Sequence, residues 1–344
     1  MTILPPESGE PRRPQGPRDP GDAWVEAPSG ERYWGRFGAA GLLALDPELG
    51  VLLQHRVAWS HHGGTWALPG GARHEGESAT DAAIREATEE AGVPGGSVRP
   101  RLLGVLDLGY WSYTTLVADV VVPFEPVISD PESLALAWVP VAEIDGYPLH
   151  PGFASSWVGL RRLLDVRPLV IVDAANVVGS VPDGWWRDRA GATARLIERI
   201  ALLADAGVPA AALGLDAAHW FPEFVVVREG AARGASAERG AGTARGAGAA
   251  RGDDAAPSDG VAPDADASEA GGSRTDGAER ISDAVRAVDA PGAGDDEVVA
   301  QVVRATASGY RVTVVTSDRE LSARSTAAGA DVRSAGWLLN LLPE

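Results

Sequence analysis

The stretch from Gly70 to Val93, GGARHEGESATDAAIREATEEAGV, constrains this chain more than any other. Ser78 with Asp81 three residues on has the form of a capping box, and Gly92 stands where a left-handed C-cap belongs. Between them Ala82, Ala83, Ile84, Ala87 and Ala91 supply helix formers and a narrow apolar seam. On that helix Glu86, Glu89 and Glu90 fall at i, i+3 and i+4, so three carboxylates crowd one face within a turn. Like charges at this spacing destabilise a helix, and a divalent cation reverses that effect. Hard cations such as Mg²⁺ take oxygen ligands and bring a substrate phosphate with them.

The stretch also resembles, position for position, the Nudix box G-x5-E-x7-R-E-U-x-E-E-x-G-U, with U an apolar residue. Gly71, Glu77, Arg85-Glu86, Ala87, Glu89-Glu90, Gly92 and Val93 fill its nine fixed positions across 23 residues. The resemblance implies an α/β/α sandwich with a mixed sheet over residues 23–166. It also implies Mg²⁺-dependent hydrolysis, with Mn²⁺ as the other cation, of a nucleoside diphosphate linked to a further group. On that analogy Glu86, Glu89 and Glu90 ligate the metal, or one of them deprotonates the attacking water. Arg85 orients a glutamate, Glu77 supports, and the Gly70 carbonyl is a further ligand. Two other readings stay open: a nucleotide-sensing domain that regulates its neighbour, and an RNA-processing pair in which this half trims a 5′ phosphate.

Composition narrows the class. A length of 344 residues leads one to expect two domains. The formal net charge of −18 argues against a chain that grips nucleic acid by bulk electrostatics. With no cysteine, there is no disulfide, thiolate zinc site or thiol nucleophile, so a metal must sit on oxygen or histidine. The six histidines, His61-His62 among them, show no metal-ligand spacing. Neither a signal-peptide core nor a membrane-length apolar run is present, and a cytoplasmic protein with a nucleotide substrate and no membrane partner is expected.

Taken in order, residues 1–22 are expected to be a disordered tail, with five prolines by Pro17. Phe37–Leu45 and Gly50–Arg56 read as a hairpin broken at Asp46-Pro47-Glu48, leading to the glycine-rich Trp66–Gly71. Strands follow at 101–108 and 113–123, then a closing strand near Trp138 and a helix over 155–165. Trp59, Tyr110 and Trp111 are candidates to stack on a base, although rim aromatics with no ligand role fit them better.

A second pattern starts after Arg167-Pro168. Leu169–Asp173, Phe224–Arg228 and Tyr310–Asp318 are buried strands with helices between them, which predicts a parallel sheet over 167–344. Residues 231–280 contain no aromatic and repeat Arg-Gly at 233, 239, 245 and 251. They read as a disordered low-complexity insertion. Asp173, Asp295, Asp296 and Asp318 stand at strand ends or on the helices that begin beside them, where open α/β sheets bind ligands. The series VDAAN, GAGDD and VVTSDRE resembles the PIN-like nucleases of the NYN and YacP-like group. That resemblance implies an α/β/α domain acting on RNA, with a metal held by Asp173, Asp296 and Asp318 and supported by Asn176 and Asp295. The alternative is that these aspartates cap turns and helices, Asp318 the helix from Arg319.

Overall fold

The computed structural model describes residues 2–4, 19–60, 62–129, 131–182, 184–236 and 278–343. A small antiparallel sheet comes first: β1 (Thr2–Leu4), β2 (Trp24–Glu26) and β3 (Arg32–Trp34), in that order. Thr2–Leu4 thus departs from the expected tail: it pairs with Trp24–Glu26, because the β-prone Thr-Ile-Leu run precedes the first proline. Residues 5–18 lie outside the described residues.

The first α/β layer comprises β4 (Ala39–Asp46), β5 (Gly50–Arg56), β6 (Trp66–Ala67), β7 (Gly70–Ala72), α1 (Ala79–Ala91), β8 (Val98–Asp107), β9 (Ser112–Val120), β10 (Ser133–Val139) and α2 (Pro151–Arg161). β4 runs parallel to β9 and antiparallel to β5 and β7, which gives the expected mixed sheet. Side chains alternate across it. Ala40, Leu42, Ala44, Leu116 and Ala118 pack on the alanine seam of α1. Leu43, Leu53 and Val117 face the other way, toward Trp157 and Leu160 of α2.

The second half contains β11 (Pro168–Asp173), α3 (Ala174–Gly179), α4 (Arg189–Ala206), β12 (Val208–Pro209), α5 (Ala210–Leu213), β13 (His219–Trp220), β14 (Glu223–Arg228), β15 (Ala278–Arg280), β16 (Val285–Asp289), α6 (Gly294–Ala307), β17 (Arg311–Val315), α7 (Arg319–Ala327), β18 (Asp331–Arg333) and α8 (Ala335–Leu341). Its sheet has the order β15-β16-β14-β11-β17-β18 and is parallel except at β15. Ile171, Val225 and Val314 pack against Val298 and Val302 of α6, while Val170, Val172 and Val226 pack toward Ile197 and Ile200 of α4. The sheet is parallel, as the buried strands predict, and helices lie on both its faces.

Two features were not foreseen. The two-residue strands β12 and β13 leave the second half and join the first sheet, β13 pairing with β8 at Leu102 and Leu103. Trp220, fully buried, lies at this joint, and one apolar core runs through both halves. Arg101 reinforces the seam: its guanidinium donates to Asp119 at 2.9 Å and to the carbonyls of Leu164 and Val166. The second feature is Arg228, 1% exposed, which pairs with Asp289 at 2.7 Å and Glu279 at 2.9 Å and donates to the Ala235 carbonyl. The flanks of the expected insertion are therefore ordered: Gly230–Ala232 forms a short 3-10 turn and Ala278–Arg280 forms β15. Residues 237–277, with three of the four Arg-Gly steps, lie outside the described residues.

Candidate functional site

The helix α1 begins and ends where its caps dictate. The Ser78 hydroxyl accepts from the Asp81 N–H at 3.0 Å and donates to the Asp81 carboxylate at 2.7 Å. Gly92 closes the helix with φ +64°, a conformation that costs a side-chain-bearing residue energy. These two ends fix the rotation of the helix, and so decide which glutamates turn inward. Glu86 and Glu90 are each 1% exposed, whereas the Glu89 side chain is 44% exposed.

A glycine strip admits the inward pair. At Gly71 a Cβ atom would stand 2.7 Å from the Glu86 carboxyl carbon, and at Gly70 one would strike the Ala40 carbonyl. The Gly70 N–H donates to Glu90 Oε2 at 2.8 Å. Arg85 ties the rest together. Its Nε and Nη2 donate to the two oxygens of Glu77 at 2.7 and 2.9 Å, Nη1 reaches Glu86 at 2.8 Å, and Nη2 also reaches the Ala72 carbonyl at 3.0 Å. Arg85 lies 3.5 Å from Glu89 as well. These contacts with Arg85, together with the His74 N–H, hold the Glu77 carboxyl below its ordinary value. In return the Arg85 guanidinium is held charged more firmly than usual. The five box residues expected from the sequence, Glu77, Arg85, Glu86, Glu89 and Glu90, thus come together beside Gly70.

Three carboxylates around one guanidinium, with Glu90 beside them on the Gly70 N–H, leave excess negative charge, and Glu86 and Glu90 are buried. That donor set suits a hard divalent cation. Among the described residues, no three His, Asp or Glu side chains could enclose a metal by themselves. Waters or substrate phosphates would have to complete the coordination of any cation held here.

Sequence reasoning missed two residues here. Tyr113 on β9 lays its hydroxyl over Gly41, and Arg56 at the end of β5 has a buried Nε with no hydrogen-bond partner. Neither stands in a motif; only the fold brings them to the box. Of the aromatic candidates, Trp111 donates from Nε1 to the Trp34 carbonyl at 3.0 Å and Tyr110 packs near Tyr33, so both brace β3 against the β8–β9 turn. Trp59 is 51% exposed on its loop.

In the second half the aspartates cap as well as cluster. Asp173 accepts from the Asn176 N–H at 3.1 Å and from the Thr316 hydroxyl at 3.0 Å, and Asp318 caps α7 through the Leu321 N–H at 2.8 Å. The Asn176 side-chain oxygen Oδ1 accepts from the Ser317 N–H at 2.8 Å. Burial raises the Asp173 carboxyl above its ordinary value. The two adjacent aspartates are set differently. Asp296 points outward, its side chain 71% exposed and bound to Arg324 at 2.5 Å. Asp295 is half-buried, and its carboxyl is raised by burial and by the charge of Asp318.

The NUDIX domain family matches residues 35–160. A Mycobacterium tuberculosis protein provisionally named 8-oxo-dGTP diphosphatase 3 is 46% identical over 166 residues, which cover 45% of this chain and 76% of that protein. A nucleoside triphosphate pyrophosphatase/Nudix hydrolase fusion protein of Bifidobacterium longum is 38% identical over 159 residues, covering 42% of this chain and 32% of that protein. Among solved structures, the Nudix hydrolase RenU of M. smegmatis is 47% identical, with a TM-score of 0.39, over 42% of this chain and 94% of its own. No described helix is long and apolar enough to cross a membrane.

Proposed function

The chain belongs to the Nudix hydrolase family, and from that membership we propose that its first half cleaves the pyrophosphate bond of a nucleoside diphosphate bearing a further group, with Mg²⁺ or Mn²⁺ as cofactor. The observation that carries this reading is the burial of Glu86 and Glu90, one helical turn apart, Glu86 against a guanidinium already shared with Glu77 and Glu90 against the Gly70 N–H. Burying such carboxylates costs several kcal/mol unless a cation joins them. Glu86, Glu89 and Glu90 would hold the cation, with the Gly70 carbonyl as a further ligand. When bound, it neutralises phosphate oxygens and acidifies a water. Arg85 keeps Glu86 in place, Glu77 keeps Arg85 in place, and the Gly70 N–H fixes the rotamer of Glu90. The name of the M. tuberculosis relative makes oxidised purine nucleoside triphosphates the first compounds to test.

The experiment is a screen of nucleoside di- and triphosphate compounds with Mg²⁺, run beside Glu90→Gln. Turnover of one class by the wild type and a loss of at least a thousandfold in the folded variant is the expected result. Near wild-type activity in Glu90→Gln sinks the assignment. A nucleotide sensor fits less well, since a sensor does not require the full acid set.

For the second half the proposal is a PIN-like RNA-cleaving site on Asp173, Asp295 and Asp318, with Asn176 in support; these carboxylates do not enclose a metal by themselves, and an RNA phosphate would complete its ligand set. What supports it is that the charges of Asp295, Asp173 and Asp318 act on one another beside the carboxyl ends of the parallel strands β11 and β17. Asparagine variants separate capping from metal binding, because Asn also caps a helix. Asp295→Asn should abolish both Mn²⁺-dependent RNA cleavage and a Mn²⁺-induced rise in Tm, and Asp296→Asn should retain them. Cleavage unchanged in Asp173→Ala removes the idea.

A further inference from the structure

Trp186 lies outside the core of the second half. It belongs to the run Gly184-Trp185-Trp186-Arg187-Asp188-Arg189, which joins α3 to α4. Gly184, at φ +84°, turns the chain into a single 3-10 turn over Trp185–Arg187, and the Asp188 carboxylate then caps α4 by accepting from the Gly191 N–H at 2.9 Å. Trp185 is half-buried against the last residue of α3, where a Cβ on Gly179 would meet its ring at 3.7 Å. Trp186 faces solvent instead, 59% exposed, with its ring nearly perpendicular to that of Trp185 at 6.3 Å. An indole this open gains little from burial, the usual reason for a tryptophan in a fold.

The charge around it runs against the rest of the chain. Acidic residues outnumber Lys and Arg by 48 to 30, yet Arg187 and Arg189 are both exposed here and, among the described residues, neither meets a carboxylate. The acid between them, Asp188, is taken up by the helix cap. Arg189 lies over the Trp185 ring at 5.1 Å, a cation–π contact that leaves its N–H groups free to turn outward. The place of the run matters as well. Asp173 caps the first turn of α3 and Trp185 packs on its last residue, six residues or about 9 Å along the helix. An anionic membrane would be repelled by the aspartates so near by, and a purely apolar partner has no use for two guanidiniums.

We propose that Trp186, Arg187 and Arg189 form a binding surface for single-stranded RNA, Trp186 stacking on an unpaired base and the two guanidiniums holding phosphates of the nucleotides beside it. The proposal rests on the RNA reading of the second half and supplies the grip that carboxylates alone cannot, since they repel a phosphate backbone. Stacking on an indole tolerates any base, so the surface takes strands of mixed sequence, but a base paired in a duplex hides its face. With two local charges in an acidic chain, the binding is modest and weakens as salt rises.

The test measures fluorescence anisotropy of a labelled, mixed-sequence oligoribonucleotide with the full chain, in EDTA so that no metal-dependent cleavage occurs. Trp186→Ala should weaken binding by roughly tenfold, the scale of one base–aromatic stack, with an unchanged Tm because the side chain is exposed. Arg187→Gln should make the slope of log affinity against log salt shallower by about 0.7, one phosphate contact on a single strand. The same sequence as a duplex should bind more weakly than the single strand. Absence of single-strand binding, equal affinity in Trp186→Ala, or a duplex bound as tightly overturns the proposal. Binding to phosphatidylserine vesicles in place of RNA also overturns it and gives the surface to a membrane. Since the measurement needs no catalysis, the two readings fail separately. Trp186-dependent binding without any cleavage strikes the nuclease and leaves this surface, whereas cleavage lost in Asp295→Asn with binding indifferent to Trp186→Ala does the reverse.

Discussion

Arg85 grips Glu77 with two donors, Nε to one carboxylate oxygen at 2.7 Å and Nη2 to the other at 2.9 Å, across eight residues of loop and helix. The planar guanidinium then has Nη1 left to reach Glu86. Lysine could not make these contacts together, because it offers a point charge in place of a fork. Glu77 therefore works at one remove, by aiming the group that aims a glutamate.

A pH dependence follows from this pair. The folded Glu77 carboxyl lies below its ordinary value of 4.5, so it contributes stability above that value and loses it as pH falls through the lowered one. Wild type should exceed Glu77→Gln by roughly 1–3 kcal/mol at neutral pH. The gap should close in acid, below pH 4.5. Urea denaturation of both proteins across this range checks the sign, and a gap that widens in acid contradicts the pairing.

Gly71→Ala should be folded and nearly inactive. The added methyl would stand 2.7 Å from the Glu86 carboxyl carbon, which must then move. A shift of about 1 Å in a catalytic group costs on the order of a hundredfold in rate. Steady-state kinetics beside a circular-dichroism melt would show it, and an active Gly71→Ala would mean that Glu86 does not need its present position.

Trp220 couples the halves, and Trp220→Ala should cost about 3–5 kcal/mol. Residues 19–166 expressed alone would expose the β8 edge that His219-Trp220 now covers, and with it apolar surface around Leu102. Aggregation in size-exclusion chromatography is expected for that fragment. A soluble fragment as stable as the full chain would show that the shared sheet is dispensable.

Much of this could be read from the sequence where local rules and periodicity suffice. Ser78 and Gly92 announce the limits of α1, and the Val-rich runs ending in Asp173 and Val315 announce buried parallel strands. What stayed hidden depends on contacts far apart in sequence. The strands at Val208-Pro209 and His219-Trp220 are two residues long, too short to carry a period, and exist because β8 offers an open edge. Asp295 and Asp296 differ by one residue, about 100° of helix rotation. Choosing between them requires knowing that α6 starts at Gly294, where its N–H meets Glu229 at 2.8 Å. Tyr113 has no motif at all, since its setting is made by three glycines on two other strands.

The Arg228 clamp also decides how the edge of the second sheet is closed. Ala235 and Glu279 lie far apart in sequence and meet at one guanidinium at the end of β14. The positions of both are set by contacts to Arg228 and by the β15–β16 pairing, and so is the register of β14 against β16. The guanidinium thus acts as a hem, closing the edge of the sheet by a side chain where the backbone alone does not.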